Sequence, residues 1–61
     1  MPYTPADLAE IAAINLHFAQ AEVYLLEDRG SIARALEHIR LAEHALSILL
    51  AEFEDDAEEA A

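Results

Sequence analysis

The chain lacks cysteine and lysine, and it has one glycine and two prolines among 61 residues. Without cysteine, neither disulfides nor thiolate zinc sites can support the fold. A chain this short hides only about 60% of its unfolded surface when it folds alone. We therefore expect one domain, residues 1–61, that gains stability by associating with further copies of itself.

Basic side chains are scarce. Three arginines oppose thirteen acidic residues, the formal net charge is −10, and residues 1–28 contain no basic side chain. Nucleic-acid phosphates and anionic membrane surfaces bind clustered lysine and arginine, so we expect neither as a partner. A neutral or basic protein is the partner class that this charge favours.

The acidic residues are densest between Glu52 and Glu59, where six acids occur in eight residues. Such a run is typical of a solubilising tail, which we expect over residues 54–61. The alternative is an acidic inhibitor or a mimic of a nucleic-acid backbone.

Long apolar runs are also missing. No stretch approaches the roughly 18 residues of a membrane span, and no basic segment precedes a signal-like region. We expect a soluble, cytoplasmic protein. The sequence contains no glycine-rich phosphate loop and no arrangement typical of an activated nucleophile, so we expect neither enzymatic activity nor a cofactor.

Helix signals are strong. Thr4, Pro5 and Asp7 provide a capping hydroxyl, a proline suited to the first helical position and an acid in the first turn. Gly30 is suited to a left-handed C-terminal cap, and Ser31 to the N-cap of a second helix. These signals predict an all-α antiparallel hairpin with helices over about 5–28 and 32–55 and a turn over 29–31.

Large apolar residues recur with a heptad spacing on both predicted helices. The pattern continues through Gly30, so a continuous coiled-coil rod is the alternative to a hairpin. A reversal between Gly30 and Ser31 predicts a core seam of six layers. They are Leu25 with Leu36, Glu22 with Ile39, Phe18 with Glu43, Asn15 with Leu46, Ile11 with Leu50, and Leu8 with Phe53.

One side of such a seam stays open in a single hairpin. Pairing two hairpins would close it as a four-helix bundle, so we expect a homodimer or a larger homo-oligomer. Leu41 and Ile48 fall on the nominal outer face. They are either a partner patch, a surface for further oligomerisation, or scattered surface hydrophobes.

Polar residues interrupt the predicted core. Because an isolated buried carboxylate is costly, we predict a polar cluster of Glu22, Arg40 and Glu43, with Asn15 as an amide partner across the dimer. The alternative is a carboxylate metal site that resembles the di-iron bundles of the ferritin-like class. Those bundles also use Glu-x-x-His, which this sequence lacks.

The whole plan resembles the repressor-of-primer family. The likeness rests on two heptad helices with a short turn and on "FEDD", residues 53–56, near an acidic end. It implies a homodimeric antiparallel bundle. That family binds paired RNA loops through polar and basic residues on its first helix, and this chain has no basic residue there. The stretch from Ala21 to Ala42 is also similar to a tetratricopeptide hairpin.

These observations together lead to one functional expectation. The chain is a non-enzymatic, homo-oligomeric helical hairpin that acts through protein–protein contacts as a small regulator, adaptor or assembly subunit.

Overall fold

The computed structural model describes residues 3–60, with side chains described for residues 3–54. Within that range the chain forms α1 (Pro5–Leu25) and α2 (Arg29–Ala60), which pack against each other as a hairpin. The predicted all-α hairpin is confirmed, and the continuous rod is wrong. Neither helix has, in the described residues, a stretch long and apolar enough to cross a lipid bilayer.

The start of α1 follows directly from its first residues. The Asp7 backbone N–H donates to Thr4 Oγ1, and the Thr4 backbone N–H donates to Asp7 Oδ2, both over 3.1 Å. This reciprocal capping box satisfies two amides that have no partner inside the helix, while Pro5 occupies the first turn, where no donor is needed. The predicted start near Pro5 is confirmed.

The reversal lies earlier than the sequence signals place it. Residue Leu26, with φ 39° and ψ 47°, adopts the left-handed conformation that ends α1, and its N–H donates to the Glu22 carbonyl over 2.9 Å. Asp28 then caps α2, because its Oδ1 accepts from the Ser31 N–H over 3.0 Å. The predicted turn over 29–31 is therefore wrong: Gly30 is helical without a positive φ, and Ser31 is buried in the first turn of α2.

Alanine packing accounts for the early reversal. The side chains buried between the helices are mostly small and are between 1% and 4% exposed: Leu8, Ala12 and Ala19 on α1, and Ser31, Ala35, Ala42 and Ala45 on α2. Small residues let two helix backbones approach closely, which increases the dispersion contact between the helices. This dispersion energy is gained along the whole helix pair, whereas the strain of a left-handed leucine, roughly 1–2 kcal/mol, arises at one residue only.

The predicted core seam is wrong as the contact between α1 and α2. Of its residues, Leu8 is buried and Ile11, Asn15 and Glu22 are partly buried. The others are exposed: Phe18, Leu25, Leu36, Ile39, Glu43, Leu46, Leu50 and Phe53. The cause on α2 is a shift of one residue, because Ser31, Ala35 and Ala42 precede Ile32, Leu36 and Glu43 and take the inward positions.

The two helices differ in length. α1 has 21 residues and α2 has 32, so the C-terminal part of α2 extends beyond the start of α1 in a molecule of 50 × 16 × 16 Å. The helix continues to Ala60, past the end predicted near residue 55. Of the predicted acidic tail, the side chains of residues 55–60 and all of residue 61 lie outside the described part of the chain.

Candidate interaction surface

A row of large apolar side chains runs along the exposed side of α2. We call it the α2 stripe, and its six residues are between 41% and 61% exposed: Ile32, Leu36, Ile39, Leu46, Leu50 and Phe53. Their spacing of three and four residues keeps them on one side of the helix. A helical hairpin normally turns such a row inward, so its exposure is the most unusual feature of the described surface.

A groove connects the α2 stripe to α1. It encloses about 310 Å³ and is lined by Leu16, Ile39, Ala42, Glu43, Leu46, Ser47 and Leu50. Leu16 is 48% exposed, and Val23, seven residues later on the same side of α1, is 56% exposed. The apolar surface therefore spans both helices of the hairpin rather than a single ridge.

Charged groups interrupt and flank this surface. Glu43 occupies the one heptad position in the middle of the α2 stripe that is not apolar, and Arg40 precedes it by one turn. Among the residues whose side chains the structure describes, Arg29, Arg40 and Glu43 form no ion pair. The predicted cluster of Glu22, Arg40 and Glu43 is therefore wrong within one chain.

The partner of Glu22 is Arg34, which sequence reasoning missed. Arg34 Nε donates to Glu22 Oε1 over 3.1 Å across the two helices, and Arg34 Nη2 donates to Ser31 Oγ over 3.3 Å. The hydrogen bond and the negative charge of Glu22 raise the pKa of Arg34 above its ordinary value. Glu22 Oε2 is buried without a hydrogen-bond partner in the described part of the chain. Glu22 pairs with Arg34 instead of the predicted Arg40 because the early reversal brings residue 34 beside Glu22.

The other polar core residue also has an unforeseen partner. Asn15 Oδ1 and His38 Nδ1 are 2.9 Å apart, and Asn15 Nδ2 donates to the Ile11 carbonyl over 2.9 Å. The His38 ring stacks on Phe18 with centroids 5.4 Å apart. This arrangement gives Asn15 and one ring nitrogen of His38 a partner between the helices, so it has a structural role inside the hairpin.

The predicted partner patch lies beside α1 rather than on the outer face. Ile48 is partly buried and packs against the core cluster that contains Leu8, whereas Leu41 is 47% exposed. Both line a second, smaller groove of about 200 Å³ on the side opposite Leu16, which also includes Tyr3 and His44.

The part of the chain described with side chains holds no group of three or more His, Asp or Glu residues placed to bind a metal ion. Comparison with family models, curated proteins and solved structures gives no match.

A signal for the true helix contact is present in the sequence. Alanine recurs at seven-residue spacing as Ala12 and Ala19 on α1 and as Ala35 and Ala42 on α2. A heptad pattern based on large apolar residues does not include these alanines. In a close helix pair they form the inner contact and leave the large residues outside.

Proposed function

We propose that this chain is a non-enzymatic, self-associating helical hairpin that acts through protein–protein contacts as a small regulator, adaptor or assembly subunit. Two hairpins pack through their α2 stripes and the adjoining side of α1, which closes the open surface as a four-helix bundle. The acidic surface that remains outside such a bundle suits a neutral or basic protein as a further partner.

The observation that carries this proposal is the exposure of the α2 stripe. If each of its six side chains shows about 90 Å² to solvent, the stripe alone forms an apolar patch of roughly 500 Å², near the upper limit for monomeric proteins. With Leu16 and Val23 of α1 added, two copies together would bury about 1,400 Å², which lies within the range of stable protein interfaces.

Two leucines on α2 provide a matched test. Leu46 and Leu41 are 46% and 47% exposed, but Leu46 belongs to the α2 stripe and Leu41 lies on the opposite side of the hairpin. We expect the wild type to sediment as a dimer or larger species at micromolar concentration. Leu46→Glu should weaken association by about a hundredfold or more, because each copy loses a buried leucine and gains a charge. Leu41→Glu should leave the assembly unchanged.

Helical content, measured by circular dichroism at the same concentrations, separates dissociation from unfolding. Leu46 is largely exposed in the single hairpin, so unfolding caused by Leu46→Glu but not by Leu41→Glu also indicates that assembly buries Leu46. A wild type that stays a folded monomer at high concentration would refute self-association. Dissociation by Leu41→Glu alone would instead assign the interface to the smaller groove.

A further inference from the structure

We propose that the two copies pair antiparallel along α2 in one specific register, in which Arg40 of each copy lies against Glu43 of the other, and Arg29 against Glu54. This inference rests on the self-association proposed above and adds the orientation, the residue pairs and the groups that select them. The two-fold axis then passes α2 at the level of Leu41.

The charged residues of α2 form complementary pairs when a second α2 is related to the first by this two-fold axis. Arg29 and Arg40 are separated by eleven residues, and so are Glu43 and Glu54. Eleven residues make about three helical turns, so each pair lies on one side of α2. When a second α2 runs in the opposite direction, both arginines of one copy reach the level of both glutamates of the other. The third arginine, Arg34, is already bound to Glu22 within the hairpin.

The apolar residues fit the same register. To within one residue, it places Ile32 against Leu50 of the second copy and Leu36 against Leu46 of the second copy. Four of the six side chains of the α2 stripe therefore meet in apolar pairs, and Phe53 lies at the level of Arg29. Ile39 then lies at the level of Glu43 of the second copy, and the flanking Arg40 covers that carboxylate. An antiparallel alignment displaced by one heptad would bring Glu43 to the level of Leu46 and leave Arg40 about 9 Å away along the axis.

The first helices also match in this arrangement. Ala12 and Ala42 share the core cluster, so the level of Leu41 on α2 corresponds to residues 12 and 13 on α1. Leu16 of one copy then faces Ala9 of the other. A large side chain opposite a small one lets the two α1 helices approach, as the close packing of a bundle requires.

Long-range charge favours the same orientation. Residues 29–51 carry three arginines and two glutamates, whereas residues 52–59 carry six acids. A parallel pair would place both acidic segments side by side, about 10 Å apart, and Glu43 against Glu43. The antiparallel pair puts the acidic segments at opposite ends, more than about 30 Å apart, which exceeds the screening length of physiological salt.

Charge reversal with mixing tests the residue pairs. Arg40→Glu and Glu43→Arg should each weaken self-association about tenfold, because each places like charges opposite each other at two sites in the dimer. An equal mixture of the two variants should recover the wild-type affinity as a heterodimer, observed by native mass spectrometry. Within each variant chain the like charges remain, so recovery can come only from contacts between chains.

Glu37→Arg is the matched control. It makes the same charge change as Glu43→Arg at an exposed position of α2 outside the α2 stripe. It should leave self-association unchanged and should not recover the affinity of Arg40→Glu on mixing. Failure of the Arg40→Glu and Glu43→Arg mixture to recover would overturn the proposed pairing.

A spin-label distance tests orientation and alignment independently. The chain has no cysteine, so Ala33→Cys provides a unique attachment site on an exposed position of α2. The proposed register predicts about 25 Å between the two labels, the alignment displaced by one heptad about 35 Å, and a parallel pair about 10 Å. Either of the last two distances would overturn the register while leaving self-association intact. A folded monomer would overturn both proposals.

Discussion

Replacing Leu26 tests where the chain reverses. Leu26 has a φ of 39°, a conformation in which a side chain with a Cβ atom is strained by roughly 1–2 kcal/mol and glycine is not. Its side chain is 60% exposed, so the loss of apolar burial on truncation is small and is the same to first order for alanine and glycine. The comparison of Leu26→Gly with Leu26→Ala therefore isolates the backbone term.

The expected magnitude combines two opposing effects. Glycine removes the left-handed strain that alanine keeps, but it loses roughly 0.5–1 kcal/mol through the greater freedom of the unfolded chain. We expect Leu26→Gly to be more stable than Leu26→Ala by about 1 kcal/mol. Leu25, which is 62% exposed, is the last residue of α1 and serves as the matched control. There the order should reverse, with Leu25→Gly less stable than Leu25→Ala by up to about 1 kcal/mol.

Urea unfolding followed by circular dichroism measures both differences. All variants must be compared at one protein concentration, because self-association adds a concentration-dependent stabilisation. A Leu26→Ala variant at least as stable as Leu26→Gly would refute a left-handed Leu26.

Two further predictions concern the contact between the helices. Ala42 is 1% exposed, so Ala42→Leu should overpack the hairpin and lower the free energy of unfolding by about 1–3 kcal/mol, whereas Ala33→Leu on the exposed side should change it little. Arg34→Met removes the only ion pair that Glu22 makes in the described structure, and because Arg34 is 56% exposed the expected loss of stability is small but measurable. Equal unfolding curves for wild type and Arg34→Met would mean that this pair does not form in solution.

Much of the candidate surface was predictable in composition but not in placement. The heptad row of large residues on α2 is evident from spacing alone, and five of its members belong to the predicted seam. Their exposure was not predictable, because the one-residue alternative that places Ala35 and Ala42 inward has the same period. Glu22 was correctly expected to need a basic partner. The choice between Arg34 and Arg40 depends on the level at which the helices meet.

The sequence by itself determined the local features of this protein. Thr4, Pro5 and Asp7 begin α1 through bonds that span three residues, and the alanine- and leucine-rich composition makes both arms helical. Only the tertiary structure decided where the chain reverses and which side of each helix is covered. Gly30 is the better local stop, but with the reversal at residues 26–28 the alanines of α1 and α2 are buried between the helices. The packing energy summed over these residues outweighs the strain of one left-handed leucine. No local sequence signal predicts this sum, because it depends on contacts between residues far apart in the chain.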